Sequence, residues 1–530
     1  MKVLITDKIN EAAGKVLDGV AEVDFLPTML EDELAEKIKD YDAIMVRSQT
    51  KITKKILEAG KSLKIVGRAG VGVDNVDIEA ATQNGIIVVN SPDGNTNAAA
   101  EHTVALMMAM ARNIPEAVVS AKSGAWDRAK FTGIEVYGKT LGIIGFGKIG
   151  SHVATVAIAL GMNVVVCDPY TSQDIVEKIG AKYVKTLDDF WKLCDFITIH
   201  APKTRETAYL INKNTLNRMK KGVRIINCAR GGIIDESALK EAIESGQVAA
   251  AAIDVFETEP DIKDSPLVKC NGNVLLTPHL GASTTEAQFN VAIDVAEQIK
   301  EVLTGGSAKA AVNIPSLKPE VLEPVKDYMQ LAENLGQLVS QIVVGNFKSV
   351  NITVSGVLAE LNVAPLEVAV LKGIFSSVME SVNYVNAPII AQKKGINIIT
   401  SKSQKDCTYI GSISVELSTD AETNIVTGAL IAEQMPRIVK INQYNMSIEP
   451  DKHMLVVPHE NKPSMIAKVA AVIGENSVNI SRMQVAQKSD KSDNESIMII
   501  NTESVVSSET IDKIKAIDGI SNAKYVKLNA

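Results

Sequence analysis

The sequence predicts a multidomain α/β protein whose C-terminal half turns α+β, and three observations carry the prediction. In residues 1–96, short apolar runs alternate with amphipathic segments, the pattern of a parallel sheet covered by helices. The alternation restarts near residue 140 around a glycine-rich turn, "GIIGFGKIGS". Residues 452–530 read strand-helix-strand twice, a βαββαβ order of ferredoxin-like type.

Taken in order, "KVLIT", "AIMVRS", "LKIVGRAG" and "IIVVN" are the strands expected in 1–96, and "EDELAEKIKD" and "TKKILEAG" the helices. "NTNAAAEHTVALMMAMARNIPEA" reads as one long helix with Thr96 or Asn97 as N-cap, apolar on more than one face. Residues 97–283 form a second α/β unit through "TLGII", "NVVVC", "FITIHAP", "RIINCARGG", "AAIDVFE" and "NVLLTPHLG". "STTEAQFNVAIDVAEQIKEVLTG", within 284–313, is an amphipathic helix able to run back onto the first unit. Three prolines in "AVNIPSLKPEVLEP" mark a boundary, and 314–451 make a third unit with "VNITVSG" and "SISVEL" as strands. The final unit, 452–530, carries "KSDKSDNES" as a hairpin loop.

The chain has 530 residues, 46% hydrophobic and 22% charged, which describes ordinary globular domains. A net charge of −8 argues against nucleic acid as a partner, because phosphate backbones need clustered Lys and Arg. No apolar run approaches the ~18 residues of a membrane span, and the N-terminus reads as a strand rather than a signal segment, so a cytoplasmic location is expected. Cys167, Cys194, Cys228, Cys270 and Cys407 are odd in number and widely spaced, which suits small buried thiols better than disulfides or a metal site.

The turn Gly145-x-Gly147-x-x-Gly150 lies between a strand and a helix. Gly145 permits the tight turn, Gly147 lets a pyrophosphate approach the backbone, and Gly150 lets helix and strand pack closely. The first amides of the helix, at Lys148, Ile149 and Gly150, face the phosphates. Asp168 ends the next strand, where a carboxylate accepts from the ribose hydroxyls and repels a 2′-phosphate. The cofactor expected is NAD rather than NADP.

Downstream, "NCARGGIIDESAL", "DVFETEP" and "LLTPHLGAST" resemble the D-2-hydroxyacid dehydrogenases. That resemblance implies a Rossmann-type nucleotide domain inserted in a flavodoxin-like substrate domain, with the active site between them. It implies Arg230 as substrate-binding arginine, Glu259 as acid partner and His279 as acid/base. Glu257 is a neighbouring competitor, but the proline after Glu259 favours the latter. The residue types suit hydride transfer: a histidine takes the hydroxyl proton, a carboxylate steadies it, and an arginine holds the α-carboxylate. The same resemblance assigns cofactor contacts to Val71, Ala201, Cys228, Ala229, Arg230, Asp254, His279, Leu280, Gly281 and Ala282. Ala201 stands where many relatives carry Thr. His102, His152, His200 and His453 are read as structural.

In "GRAGVGVDNVD", Gly70, Val71 and Gly72 offer backbone amides to a carboxylate. Around a substrate phosphate the resemblance gathers Arg47, with Ser48, Arg68 and Arg128. Residues 314–451 resemble the intervening domain of long-form phosphoglycerate-oxidising members, of allosteric substrate-binding type, and 452–530 resemble an ACT domain. The resemblance therefore spans the whole chain and implies oxidation of 3-phosphoglycerate in serine biosynthesis. It also implies a homodimer or homotetramer, and L-serine as effector at His459 and Asn461, on the loop after the first ACT strand, and Asn479. Ser464 stands where the family usually has Gly. The rivals are a glyoxylate or hydroxypyruvate reductase, which needs neither C-terminal domain, and a dinucleotide-sensing corepressor, which lacks an ACT tail. Formate dehydrogenases of the superfamily carry Gln where Glu259 stands.

Overall fold

The structure is a computed structural model describing residues 1–314, 317–379, 382–404, 408–431, 435–488 and 494–529. Strands β1 (Lys2–Ile5), β2 (Glu22–Phe25), β3 (Ala43–Val46), β4 (Ile65–Arg68) and β5 (Ile87–Asn90) form an all-parallel sheet in the order β2-β1-β3-β4-β5. This is the flavodoxin-like order. Alternate residues feed two cores: Val3, Ile5, Met45 and Ile65 on one face, Leu4, Ile44, Val46 and Val66 on the other. Strand β2 escapes the sequence pattern because it is an edge strand with no fully buried residue.

The second lobe opens with a correction. The long helix breaks into α1 (Thr96–Ala111) and α2 (Ile114–Lys122), which meet at a 64° bend. Asn113 is left-handed at φ 52°, and Pro115 in the first turn of α2 removes a backbone donor, so the helix restarts rather than continues. The N-cap is Asn95, with no side-chain cap, instead of Thr96 or Asn97. Strands β6 (Thr140–Ile144), β7 (Asn163–Cys167), β8 (Lys182–Tyr183), β9 (Phe196–Ile199), β10 (Val223–Asn227), β11 (Val248–Ile253) and β12 (Val274–Leu276) are all parallel, ordered β12-β11-β10-β9-β6-β7-β8. Helix α3 (Lys148–Ala159) follows β6. The order reverses between β6 and β9, the switch point of a doubly wound nucleotide fold.

Helix α4 (Thr285–Leu303) then returns to the first lobe. Its Val291, Ala292, Val295, Ala296 and Ile299 complete the core over β1, β3 and β4. The close approach depends on Gly67, where a Cβ would come within 2.4 Å of Val295. The following segment pairs with β5: Ala311 bridges Val89, and Asn313 Oδ1 accepts from Val88 N at 2.9 Å. Ile314 and Leu317 still belong to this core, so the first lobe's packing extends past residue 314.

The third unit is a six-stranded sheet, β14-β13-β15-β16-β17-β18, built from β13 (Phe347–Gly356), β14 (Asn397–Ser403), β15 (Gly411–Thr419), β16 (Thr423–Ile431), β17 (Met435–Ile441) and β18 (Tyr444–Ile448). Helices α5 (Met329–Ile342) and α6 (Ala364–Ser376) pack on it. The fourth unit has β19 (His453–Glu460), β20 (Ile480–Gln487), β21 (Glu495–Thr502) and β22 (Lys524–Lys527) in the order β20-β21-β19-β22, an antiparallel ferredoxin-like sheet. One face carries its own two helices; the other, through Met454, Val456, Ile497 and Val526, joins the core around α5. Helix α5 is therefore buried on nearly every side, and its Glu333 is satisfied by Lys372 and the Tyr384 hydroxyl at 2.7 and 2.8 Å.

Among the described residues no single helix is long and apolar enough to cross a membrane. Cys407 lies outside the described residues, as do 489–493 of the expected hairpin loop. Burial pushes the thiols of Cys194 and Cys228 up to about 12, which suits unreactive side chains.

Candidate active site

Both parallel sheets turn the C-terminal ends of their strands toward one cleft. Asp7 follows β1, Arg47 follows β3, and Arg68 ends β4 in the first lobe; Arg230, Asp254 and His279 follow β10, β11 and β12 in the second. A cavity of about 450 Å³ between them is lined by Arg47, Ser48, Arg68, Gly70, Val71, Gly72, Arg230, Glu259, His279 and Ala282, among others.

His279 Nδ1 lies 2.7 Å from Glu259 Oε2, and the other carboxylate oxygen accepts from Phe256 N at 2.9 Å. Burial works against the Glu259 charge, but the bonds from His279 and Phe256 outweigh it and hold the carboxyl below its usual range. Glu257 faces elsewhere: it accepts from Glu236 N and the Tyr209 hydroxyl. With Nδ1 engaged by a carboxylate, Nε2 is the ring nitrogen left to exchange a proton with a ligand.

Three guanidinium groups converge beside this pair. Burial first, then the charges of Arg230 and Arg47, push the Arg68 guanidinium down to about 10, with Asp74 and Asp7 opposing. Among the described residues its Nε is buried without a hydrogen-bond partner. Three guanidinium groups within electrostatic reach of one another in one cleft suit an anionic ligand. Arg230 Nε meets Asp74 Oδ2 at 3.2 Å, joining the lobes across the cleft. The Gly70 N–H donates to the Arg68 carbonyl at 2.9 Å, which leaves the amides of Val71 and Gly72 for a ligand.

The nucleotide side fits NAD on its own geometry. A Cβ at Gly145 (φ 91°) would come within 2.6 Å of the His200 carbonyl, and one at Gly150 within 2.2 Å of the Gly145 carbonyl. A Cβ at Gly147 would meet nothing within 4 Å, so the turn is open on the side a pyrophosphate needs. Helix α3 starts at Lys148, presenting the amides of Lys148 and Ile149 beside that opening. Asp168 accepts from Phe146 N at 2.6 Å and Tyr170 N at 2.7 Å. An ionised carboxylate has about four acceptor positions, so room for ribose hydroxyls remains. Ala201 borders the same turn through its backbone. Asn227 holds the Cys228–Arg230 loop by bonding Ala229 N and the Arg230 carbonyl at 3.0 Å each. On the loop expected to contact the cofactor, the Leu280 and Gly281 amides both donate to Asp254, at 2.8 and 2.9 Å.

Some expected residues do not meet. Arg128 is exposed and does not line the cleft. Its segment is tied down at Gly133 and Ile134 against Ala111, the far end of α1 from the cleft. His459 is not on a loop: it lies in β19, pairs with Ser496 across β21, and is 3% exposed, with Nδ1 3.2 Å from the Val457 carbonyl. Asn461 and Asn479 are exposed, but Asn479 lies beside Glu503, one past the Ile480–Thr502 pair, and His459 beside Ser496. Seven residues, roughly 23 Å of extended chain, separate those ends of the sheet. Ser464 is left-handed at φ 72°, which explains why glycine suits the position.

Asp7, Lys8, Asp74 and Asn95 line the cleft but were not anticipated. Asp7 organises the Arg47 turn by accepting from Arg47 N at 2.7 Å and the Thr50 hydroxyl at 2.6 Å. Its short signal in sequence was an acid directly after an apolar strand.

Comparison with known proteins identifies this architecture. The family model of the D-isomer specific 2-hydroxyacid dehydrogenase NAD binding domain matches residues 104–281, so the two-lobed core is that of an NAD-dependent 2-hydroxyacid dehydrogenase. The model of the D-3-phosphoglycerate dehydrogenase intervening domain matches residues 324–442. The chain is 48% identical to D-3-phosphoglycerate dehydrogenase of Synechocystis sp. over 99% of its length and 95% of the relative's. It is 44% identical to the enzyme of that name from Methanocaldococcus jannaschii over the whole of both chains. The chain belongs to the D-3-phosphoglycerate dehydrogenase family. Among solved structures, a glyoxylate reductase from Paecilomyes thermophila covers 60% of this chain and 99% of its own, with a TM-score of 0.55 and 31% identity.

Proposed function

We propose that the protein oxidises D-3-phosphoglycerate to 3-phosphohydroxypyruvate with NAD, the entry to L-serine synthesis. The observation that carries this reading is the convergence of Arg47, Arg68 and Arg230 on the cleft that also holds His279 and Glu259. A substrate with both a carboxylate and a phosphate matches that charge; lactate or glyoxylate does not need it. The C-terminal units, which reductases and corepressors of this class lack, favour the same reading.

Bound NAD supplies the hydride acceptor. Arg230 and the Val71 and Gly72 amides hold the α-carboxylate, and Arg47 and Arg68, with Ser48, hold the phosphate. Neutral His279 takes the C2 hydroxyl proton on Nε2 as the hydride leaves C2. The Glu259 carboxylate then stabilises the imidazolium, and the same pair returns the proton in the reverse direction.

A substrate panel with NAD tests this. Turnover should favour 3-phosphoglycerate over D-glycerate, D-lactate and 2-hydroxyglutarate by at least about tenfold in kcat/KM. Equal use of D-glycerate would remove the phosphate from the reading.

The proposal extends to assembly and regulation. Trp126 and Val119, 84% and 71% exposed, lie with Ile114 and Val118 on and beside α2 as an apolar patch, supporting a homodimer through this face. The C-terminal module is read as an ACT domain that binds L-serine. Because His459 and Asn461 sit at one end of its sheet and Asn479 at the other, a serine touching all of them needs two modules side by side.

A further inference from the structure

His102, in the second turn of α1, points at the underside of the loop that carries His279. Its Nε2 lies 3.1 Å from Asp254 Oδ1 and 3.4 Å from Thr277 Oγ1. The Asp254 side chain is fully buried. Its Oδ1 also accepts the Thr277 hydroxyl at 2.6 Å and Leu280 N at 2.8 Å, while Oδ2 accepts Gly281 N at 2.9 Å. The Asp254 carbonyl accepts His279 N, again at 2.9 Å. The loop Thr277–Gly281 is thus wound around one residue. Within it His279 has a φ of 56°, a left-handed backbone that a side-chain-bearing residue keeps only where its surroundings dictate it.

His102, Cys228 and Asp254 bring potential metal ligands within 4.8 Å of one another. A metal is a poor account of them: the Thr277 hydroxyl and Leu280 N already donate to Asp254 Oδ1, and burial keeps the Cys228 thiol protonated.

We propose that His102 is a positioning residue for the dehydrogenase reaction: its Nε2–H donates to Asp254, completes the donor set around that buried carboxylate, and so fixes the loop that aims His279 into the cleft. The inference rests on His279 being the acid/base. Removing a donor from a buried charged acceptor costs more than an ordinary hydrogen bond, because the remaining charge has no water to turn to.

The charged and titratable groups around this cluster are Asp254, which follows β11, and Glu259 and His279 on their loops, while burial keeps the Cys228 thiol on the β10 loop neutral and Glu101 on α1 is exposed. The Asp254 charge reaches Glu259 and works against its ionisation. Without the His102 N–H that charge is less offset. The field at the Glu259–His279 pair becomes more negative, which favours positive charge forming there.

The experiment compares full-length His102→Leu and His102→Gln with the wild type. We expect H102L to lower kcat about tenfold and to move the acidic limb of the kcat/KM profile about half a pH unit upward. NADH affinity, read by fluorescence, should change less than about twofold. H102Q, which keeps an N–H donor, should recover most of the turnover and the wild-type limb. Wild-type kcat in H102L, an unshifted limb, or H102Q as impaired as H102L each overturns the proposal. Full turnover in His279→Ala instead would mean that the acid/base assignment itself had failed.

Discussion

His279 and Glu259 meet through Nδ1 and Oε2 at 2.7 Å, although the first follows β12 and the second lies on the loop after β11. The contact leaves one ring nitrogen for substrate and fixes which one. Replacing His279 by Ala should lower kcat by about 10² or more and change NADH affinity far less, since what the reaction loses is its proton acceptor. Steady-state rates and fluorescence titration check both halves.

Glu259→Gln separates the two members of the pair. A carboxylate beside a ring nitrogen favours the positive charge that forms when the ring takes up a proton, and its removal takes that support away. Oxidation needs neutral His279, so the acidic limb of kcat/KM should move to lower pH. The Glu259 carboxyl is itself held low, so in the wild type the pair is intact above the ordinary carboxylate range and is lost only as pH falls through that lowered value. A pH profile of both proteins from 5 to 9 (roughly the His range) reads the shift; a limb that stays in place would show that Glu259 does not act on His279.

Asp168→Ala should raise the KM for NAD and narrow the preference over NADP by about tenfold or more, because the carboxylate that repels a 2′-phosphate is gone. Unchanged selectivity would assign ribose reading to another residue. Some loss of stability is expected as well, since Asp168 also holds Phe146 N and Tyr170 N.

Arg68→Ala and Arg47→Ala should raise the KM for 3-phosphoglycerate far more than for an unphosphorylated hydroxy acid, by about tenfold in the ratio. Equal losses on both substrates would tie these arginines to the carboxylate or to cleft structure. Arg128→Ala, outside the cleft of its own chain, is the comparison that reads any contribution from a second copy.

L-serine should inhibit at millimolar concentration or below, and Asn461→Ala or Asn479→Ala should each weaken the inhibition while leaving uninhibited turnover intact. These exposed positions are better probes than His459, whose burial makes its removal a packing change too. A monomer by light scattering would contradict the two-module site directly.

What the sequence made legible follows the range of the interactions. Gly145, Gly147, Gly150 and Asp168 were readable because a turn, a helix start and a strand end lie within a few dozen residues. Arg230, Glu259 and His279 were readable because each sits in a distinctive local motif. Asp7 was not, since its role is defined by Arg47 and Thr50, which the sheet brings beside it. The break at Asn113 was missed despite Pro115, because the apolar run continues through it. The separation of His459 from Asn479 depends on strand register, which no residue type announces. His102 looked like any helix histidine until β11 and the β12 loop closed around it.

The return of α4 to the first lobe also bears on how the chain is made. The first five strands leave the ribosome with Val3, Ile5, Met45 and Ile65 lacking the cover that Val291, Val295 and Ile299 provide some 200 residues later. The second lobe, continuous in sequence, can condense in between. By doing so it brings residues 96 and 284 to the same side of the molecule and shortens the loop whose closure the first lobe must await. The catalytic cleft is thus completed only once α4 has been made and has returned, and a released chain that ends before residue 285 carries the nucleotide sheet beside a first-lobe sheet whose core lacks Val291, Val295 and Ile299.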